Sequence, residues 1–130
     1  MNIERFVFLF LFDLMVSKTL HKCNRGTGAS LVIFHHVISV MLWWNFMIGI
    51  LGPKAHAVAM LSVVGLWFVT GGRCFLTKIH NNMCGINTNQ PFSNAQGYIL
   101  GKKMSTHLTL TAILLVIDFY LNRSGRKVLF

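Results

Sequence analysis

Four apolar runs, separated by polar and basic stretches, organise this chain. The first covers residues 6–20 and is interrupted by Asp13. The second, residues 29–51, holds 23 residues without a formal charge; about 20 suffice to cross a hydrocarbon core of roughly 30 Å. Gly52-Pro53 ends it, because proline lacks the amide that would continue the helix. The third run, residues 55–72, has 18 uncharged positions and follows so closely that runs two and three predict an antiparallel hairpin. The fourth covers residues 105–121. Between the third and fourth lies a polar stretch, 77–104, with five Asn, three Gly and one Pro. It is expected as an ordered surface loop, with one short interfacial helix near residues 96–100. The pattern predicts an all-α polytopic membrane protein: four transmembrane helices, the first one short, in an antiparallel bundle that forms a single domain over residues 1–130.

Composition strengthens that reading. Apolar residues make up 54% of the 130 positions and charged residues only 12%, about half the share of a soluble domain. A secretory signal would also place Arg5 before an apolar run. Asp13 within the run and the lack of an Ala-x-Ala-like site after it favour a first membrane helix instead. Twelve basic residues face three acids, Glu4, Asp13 and Asp118. The basic residues flank the apolar runs, so they read as contacts to lipid phosphate or partner subunits rather than to nucleic acid. Lys18, Lys22, Arg25, Lys102, Lys103, Arg126 and Lys127 are the candidates. Loops 18–28 and 73–104 share a side, because two helices separate them. They hold seven basic residues against five on the other side, which predicts a cytoplasmic location for both.

Ionisable groups at membrane depth face the bundle interior or a partner. Asp13 lies seven residues before residue 20, and His35 and His36 lie six and seven after residue 29. At 1.5 Å per residue all three sit roughly 10 Å below one surface. Asp13 is therefore expected to pair with His35 or His36, as a register clamp or as a proton relay. A second polar cluster, Asp118 with His56, Lys54 and Arg123, is expected near the opposite surface. Cys74 and Cys84 bracket a nine-residue stretch and form the candidate disulfide, given an oxidising compartment. Arg73, Cys74, Thr77 and Asn81 read as a helix exit, with Thr77 and Asn81 satisfying exposed carbonyls or starting the following turn. No metal-binding or nucleophilic motif is present, and no enzyme activity or cofactor is expected. Two facing His, such as His35 or His36 with His107, would be the ligands if a haem were bound.

Three resemblances extend these readings. Cys74-Phe75-Leu76-Thr77-Lys78-Ile79-His80-Asn81 resembles the Cys-Pro-Leu-Thr-x-x-Glu-Asn signature of a family of small four-helix bacterial membrane proteins. Phe75 stands for the proline and His80 for the glutamate, and His56 matches a His near the start of the preceding helix. The likeness covers about 50 residues and implies a four-helix membrane fold. Arg25-Gly26-Thr27-Gly28 is similar to the Arg-x-Thr-Gly stretch of succinate dehydrogenase anchor subunits, with Asn24 in place of the preceding His. That likeness implies a haem- or quinone-binding anchor. The paired His of run two, Trp67-Phe68 before Gly71-Gly72-Arg73-Cys74 and the Asn-rich loop together resemble small membrane proteins of large DNA viruses. This implies a virion membrane or minor capsid component. The expected function is a structural, membrane-embedded subunit of a larger assembly, with a small proton or ion channel or transporter as the alternative.

Overall fold

The structure is a computed structural model describing residues 2–23, 26–95, 103–125 and 127–129. Its regular elements, among the described residues, are all helices: α1 (Ile3–Val16), α2 (Lys18–Lys22), α3 (Gly26–Trp43), α4 (Asn45–Ile48), α5 (Pro53–Val69), α6 (Phe75–Cys84) and α7 (Met104–Arg123). Helix α3 is central and packs against α1, α2, α5 and α6, while α5 pairs with α7 and α4 touches both α1 and α7. Two hydrogen bonds gather one end of the molecule: Asn2 N–H donates to Ile48 O at 3.0 Å, and Leu129 N–H to Ile50 O at 3.1 Å. The Cys23–Cys84 disulfide closes the opposite end.

The second apolar run is not one helix. It bends at Trp44, resumes as α4 and then turns back. The Asn45 side chain closes that turn: it accepts from Leu51 N–H and donates to Leu51 O, both at 2.8 Å. Gly49, at φ 64°, turns the chain where a side chain would be strained. Pro53 then opens α5 at the position where its missing amide costs nothing.

The 77–104 stretch also departs from expectation, because its first part is helical. The buried residues of α6 are Thr77, His80, Asn81 and Cys84, a spacing of i, i+3, i+4 and i+7 that places them on one face. The inward face is polar, so the sequence reads as loop although the period is that of a helix. The helix expected near residues 96–100 lies outside the described residues.

Two helices, Gly26–Trp43 and Ser105–Arg123, are long and apolar enough to cross a membrane by length and composition. Helix α5 is shorter at 17 residues. Helix α1 has 14 and stops at Ser17, whose ψ of 118° is extended. The four crossings expected from the sequence thus reduce to two helices that meet that test. One apolar cluster, Leu9, Val40, Ile48 and Ile50, joins α1 to α3 and the turn after α4. Another, Leu42, Trp43, Met60 and Leu114, joins α3, α5 and α7.

Candidate functional site

Helix α1 supplies Asp13 and α3 supplies adjacent histidines pointing to different neighbours, since consecutive helical positions differ by about 100°. His36 faces α1: its Nδ1 lies 2.5 Å from Asp13 Oδ2. Asp13 Oδ1 accepts from Ala95 N–H at 2.6 Å. Both side chains are buried, at 0% and 1% exposure. His35 turns instead towards α6, with its Nδ1 3.2 Å from His80 Nε2. Of the two histidines left open by the sequence, His36 is the one the structure brings to Asp13.

Phe92 caps this group. Its ring stacks on His35 at 3.8 Å and lies 4.6 Å from His36 and 5.6 Å from His80. The segment bearing it, residues 86–95, is strapped down by polar side chains. Asn81 Nδ2 donates to Asn87 O and Gln90 O at 3.2 and 2.8 Å. Asn94 Nδ2 donates to Ser39 Oγ at 2.8 Å, and Ser93 Oγ to Val16 O at 3.3 Å. Arg73 holds Asn89 Oδ1 at 2.8 Å. Burial pushes the His80 imidazole down to about 4; the neighbouring Asn81 side chain opposes this, and the charge of His36 adds to it. His36 Nε2 and His80 Nδ1 are buried without a hydrogen-bond partner among the described residues.

At the opposite end, Asp118 of α7 contacts His56 Nδ1 of α5. Asn45 Nδ2 donates to Asp118 Oδ2 at 2.7 Å, and His56 Nε2 donates to Leu42 O at 2.7 Å. A proton on Nε2 leaves the His56–Asp118 contact needing one more, carried by Nδ1 or by the carboxyl. Lys54 and Arg123, expected in this cluster, have exposed side chains, whereas Asp118 is fully buried. Asn45 is the member that sequence reasoning missed.

The expected disulfide is corrected. Cys84 bonds Cys23, and Cys74 is a free thiol. Cys74 and Cys84 stand at opposite ends of the ten-residue α6, about 15 Å apart along its axis, beyond the reach of a disulfide. The Cα atoms of Cys23 and Cys84 are 4.8 Å apart. A Cβ built on Gly28 would lie 2.6 Å from Cys84 Sγ and 2.9 Å from Cys23 Sγ, so glycine makes room for the bond.

The expected helix exit is also redistributed. Carbonyls at the end of α5 are met by Gly72 N–H on Trp67 O at 2.6 Å and by Lys78 Nζ on Thr70 O at 3.0 Å. Thr77 is buried, and Asn81 serves the 86–95 strap instead. Of the candidate lipid contacts, Lys22, Lys103 and Lys127 are exposed. Lys18 begins α2, while Arg25, Lys102 and Arg126 lie outside the described residues. His107 packs against Trp43 and Trp67 at 5.9 and 5.5 Å, while His35 and His36 are engaged by His80 and Asp13. Among the described residues no group of three or more His, Cys, Asp or Glu is placed to hold a metal ion.

No protein-family model, curated protein or solved structure matches this chain. The likeness to the four-helix family rests on the sequence alone, in residues 74–81 and His56.

Proposed function

We propose that this chain is a non-enzymatic, membrane-embedded structural subunit of a larger assembly. In this reading α1–α2, α3–α4, α5 and α7 form four membrane segments. One observation carries the membrane part: the polarity is inside out. Asp13 and Asp118 are 1% and 0% exposed, whereas Phe8, Phe68, Val69 and Phe119 are 69%, 65%, 84% and 63% exposed. Water would penalise so many bare apolar side chains, and lipid accepts them while driving charges inward. Lipid also removes the hydrophobic force between helices. The two His–Asp pairs, Asn45 and the disulfide then serve to fix helix register. The partners are anionic lipid and other protein subunits, and a viral inner membrane is the setting the sequence resemblance suggests.

The disulfide supports an orientation opposite to the one predicted from basic residues, because such bonds persist in oxidising compartments. The end bearing Cys23 and Cys84 then faces away from a reducing cytosol. Thr88→Cys, at an exposed turn, should react with an impermeant thiol reagent from the non-cytosolic face of sealed membranes. Reaction from the cytosolic face alone would overturn the orientation.

Crosslinking mass spectrometry in native membrane tests the assembly role. It should join the exposed Lys22, Lys54, Lys103 and Lys127 to other proteins. A monodisperse, water-soluble monomer in detergent-free buffer would refute the reading. A proton relay is favoured by one feature, the run Asp13, His36, His35 and His80 with two ring nitrogens unpartnered among the described residues. Proton flux in liposomes abolished by Asp13→Asn would replace the structural reading with it, and a haem absorbance band on purification would replace both.

A further inference from the structure

A cleft of about 530 Å³ opens at the end of the molecule away from the disulfide, where the start of α1, the turn after α4 and the residues after α7 come together. Two cations from distant parts of the chain line it, Arg5 and Lys127. Both are exposed, so a ligand in the cleft can reach them. The Arg5 guanidinium is held at the wall: one nitrogen donates to Met47 O at 3.3 Å, and Met47 itself lines the cleft. A guanidinium offers five N–H groups, so one such bond leaves it able to hold an anion.

The chain supplies no carboxylate side chain to this cleft. Its three acids are Glu4, Asp13 and Asp118. Asp13 meets His36 at the other end, and Asp118 is fully buried against His56 and Asn45. Glu4 is exposed beside Arg5 on α1 and does not line the cleft. Much of the remaining wall is apolar, from Phe46, Met47, Ile48 and Leu121. Two cations beside an apolar wall call for an anion that carries hydrocarbon. A phospholipid phosphate with its acyl chains is that ligand, and basic groups at a membrane surface hold such headgroups. The orientation proposed above turns this end towards the cytosolic leaflet, where anionic lipid is concentrated.

We propose that this cleft is a binding site for one anionic phospholipid. Arg5 and Lys127 hold the phosphate, and the upper part of an acyl chain lies against Phe46, Met47 and Leu121. The site rests on the membrane-embedded reading and gives its lipid partner a defined place.

Native mass spectrometry of the full chain in an uncharged detergent tests it, with dioleoylphosphatidylglycerol, dioleoylphosphatidylcholine and inorganic phosphate as probes. The glycerol lipid should bind saturably at one per chain and more tightly than the choline lipid. Arg5→Gln and Lys127→Gln should each weaken it about fivefold. Lys127 lies beyond the last helix, so its variant keeps the fold and decides the matter if Arg5→Gln does not fold. Lys54→Gln, exposed near the same end but outside the cleft, should leave affinity unchanged. Equal binding of the two lipids, binding of inorganic phosphate without lipid preference, or an equal fall with Lys54→Gln would overturn the site. The membrane reading fails by a different result, a monodisperse monomer in detergent-free buffer.

Discussion

The two buried His–Asp pairs occupy opposite ends of the molecule and differ in how completely their surroundings answer them. At the turn end, His56 meets Asp118 and Leu42 O, while Asn45 binds both Asp118 and the Leu51 peptide. That network fixes the geometry of α4, α5 and α7 at once. At the disulfide end, His36 meets Asp13, yet its second ring nitrogen has no hydrogen-bond partner among the described residues, and two more histidines and Phe92 crowd beside it. A fully satisfied polar network rigidifies a core, and a partly satisfied one does so less. The first pair therefore behaves as a fastener, and the second belongs to a looser group.

Removing the closed network should have the largest effect. Asp118→Ala leaves His56 and Asn45 buried without their acid, and a loss of about 3–5 kcal/mol is expected. Thermal unfolding in detergent measures it. Asp13→Asn should cost less, about 1–3 kcal/mol, because the amide oxygen still accepts from Ala95 N–H. Equal losses would erase the distinction between the two ends.

Cys23→Ser should cost about 2–4 kcal/mol by freeing a long loop in the unfolded chain. It should loosen the disulfide end while leaving exchange of the Leu51 amide unchanged. Gly28→Ala should cost about 1–3 kcal/mol by overpacking, since its Cβ would meet both sulfurs. Most of that cost should vanish in the Cys23→Ser background, and an additive loss would show that the sulfurs are not the obstruction.

Acid gives the mildest comparison. The folded His80 titrates near 4 instead of 6.5, so between those values the unfolded chain holds more protons. Stability from His80 is then complete above pH 6.5 and declines as pH falls towards 4. Amides of residues 86–95 should lose exchange protection at pH 5 relative to pH 7, after correction for intrinsic rates, and those around Asn45 and Leu51 should not. Uniform loss at both ends would remove His80 as the cause.

The regions that sequence reading located are those where one physical rule dominates. The apolar runs that overlap α3, α5 and α7 stand out because charge is costly in an apolar setting. Equal depth along two helices was enough to bring Asp13 and the His35-His36 pair into one layer. The break at Trp44 was hidden because no glycine or proline marks it, and the turn after it is closed by Asn45 through bonds to a residue six positions on. Helix α6 was hidden because its inward face carries Thr77, His80 and Asn81, polar residues more often found outside, beside Cys84. Missing that helix led directly to the wrong cysteine pair, since a helix holds Cys74 away from Cys84 where a loop could fold back. The Asn residues that looked like loop composition turned out to be the ties of the strap.

The bond between Cys23 and Cys84 spans 61 positions and encloses α3, α4, α5 and α6 in one covalent ring. A protease that cuts once inside that ring yields a nicked molecule whose halves migrate together on a non-reducing gel. Only a thiol reductant parts them, so digestion patterns with and without reductant report which turn was reached.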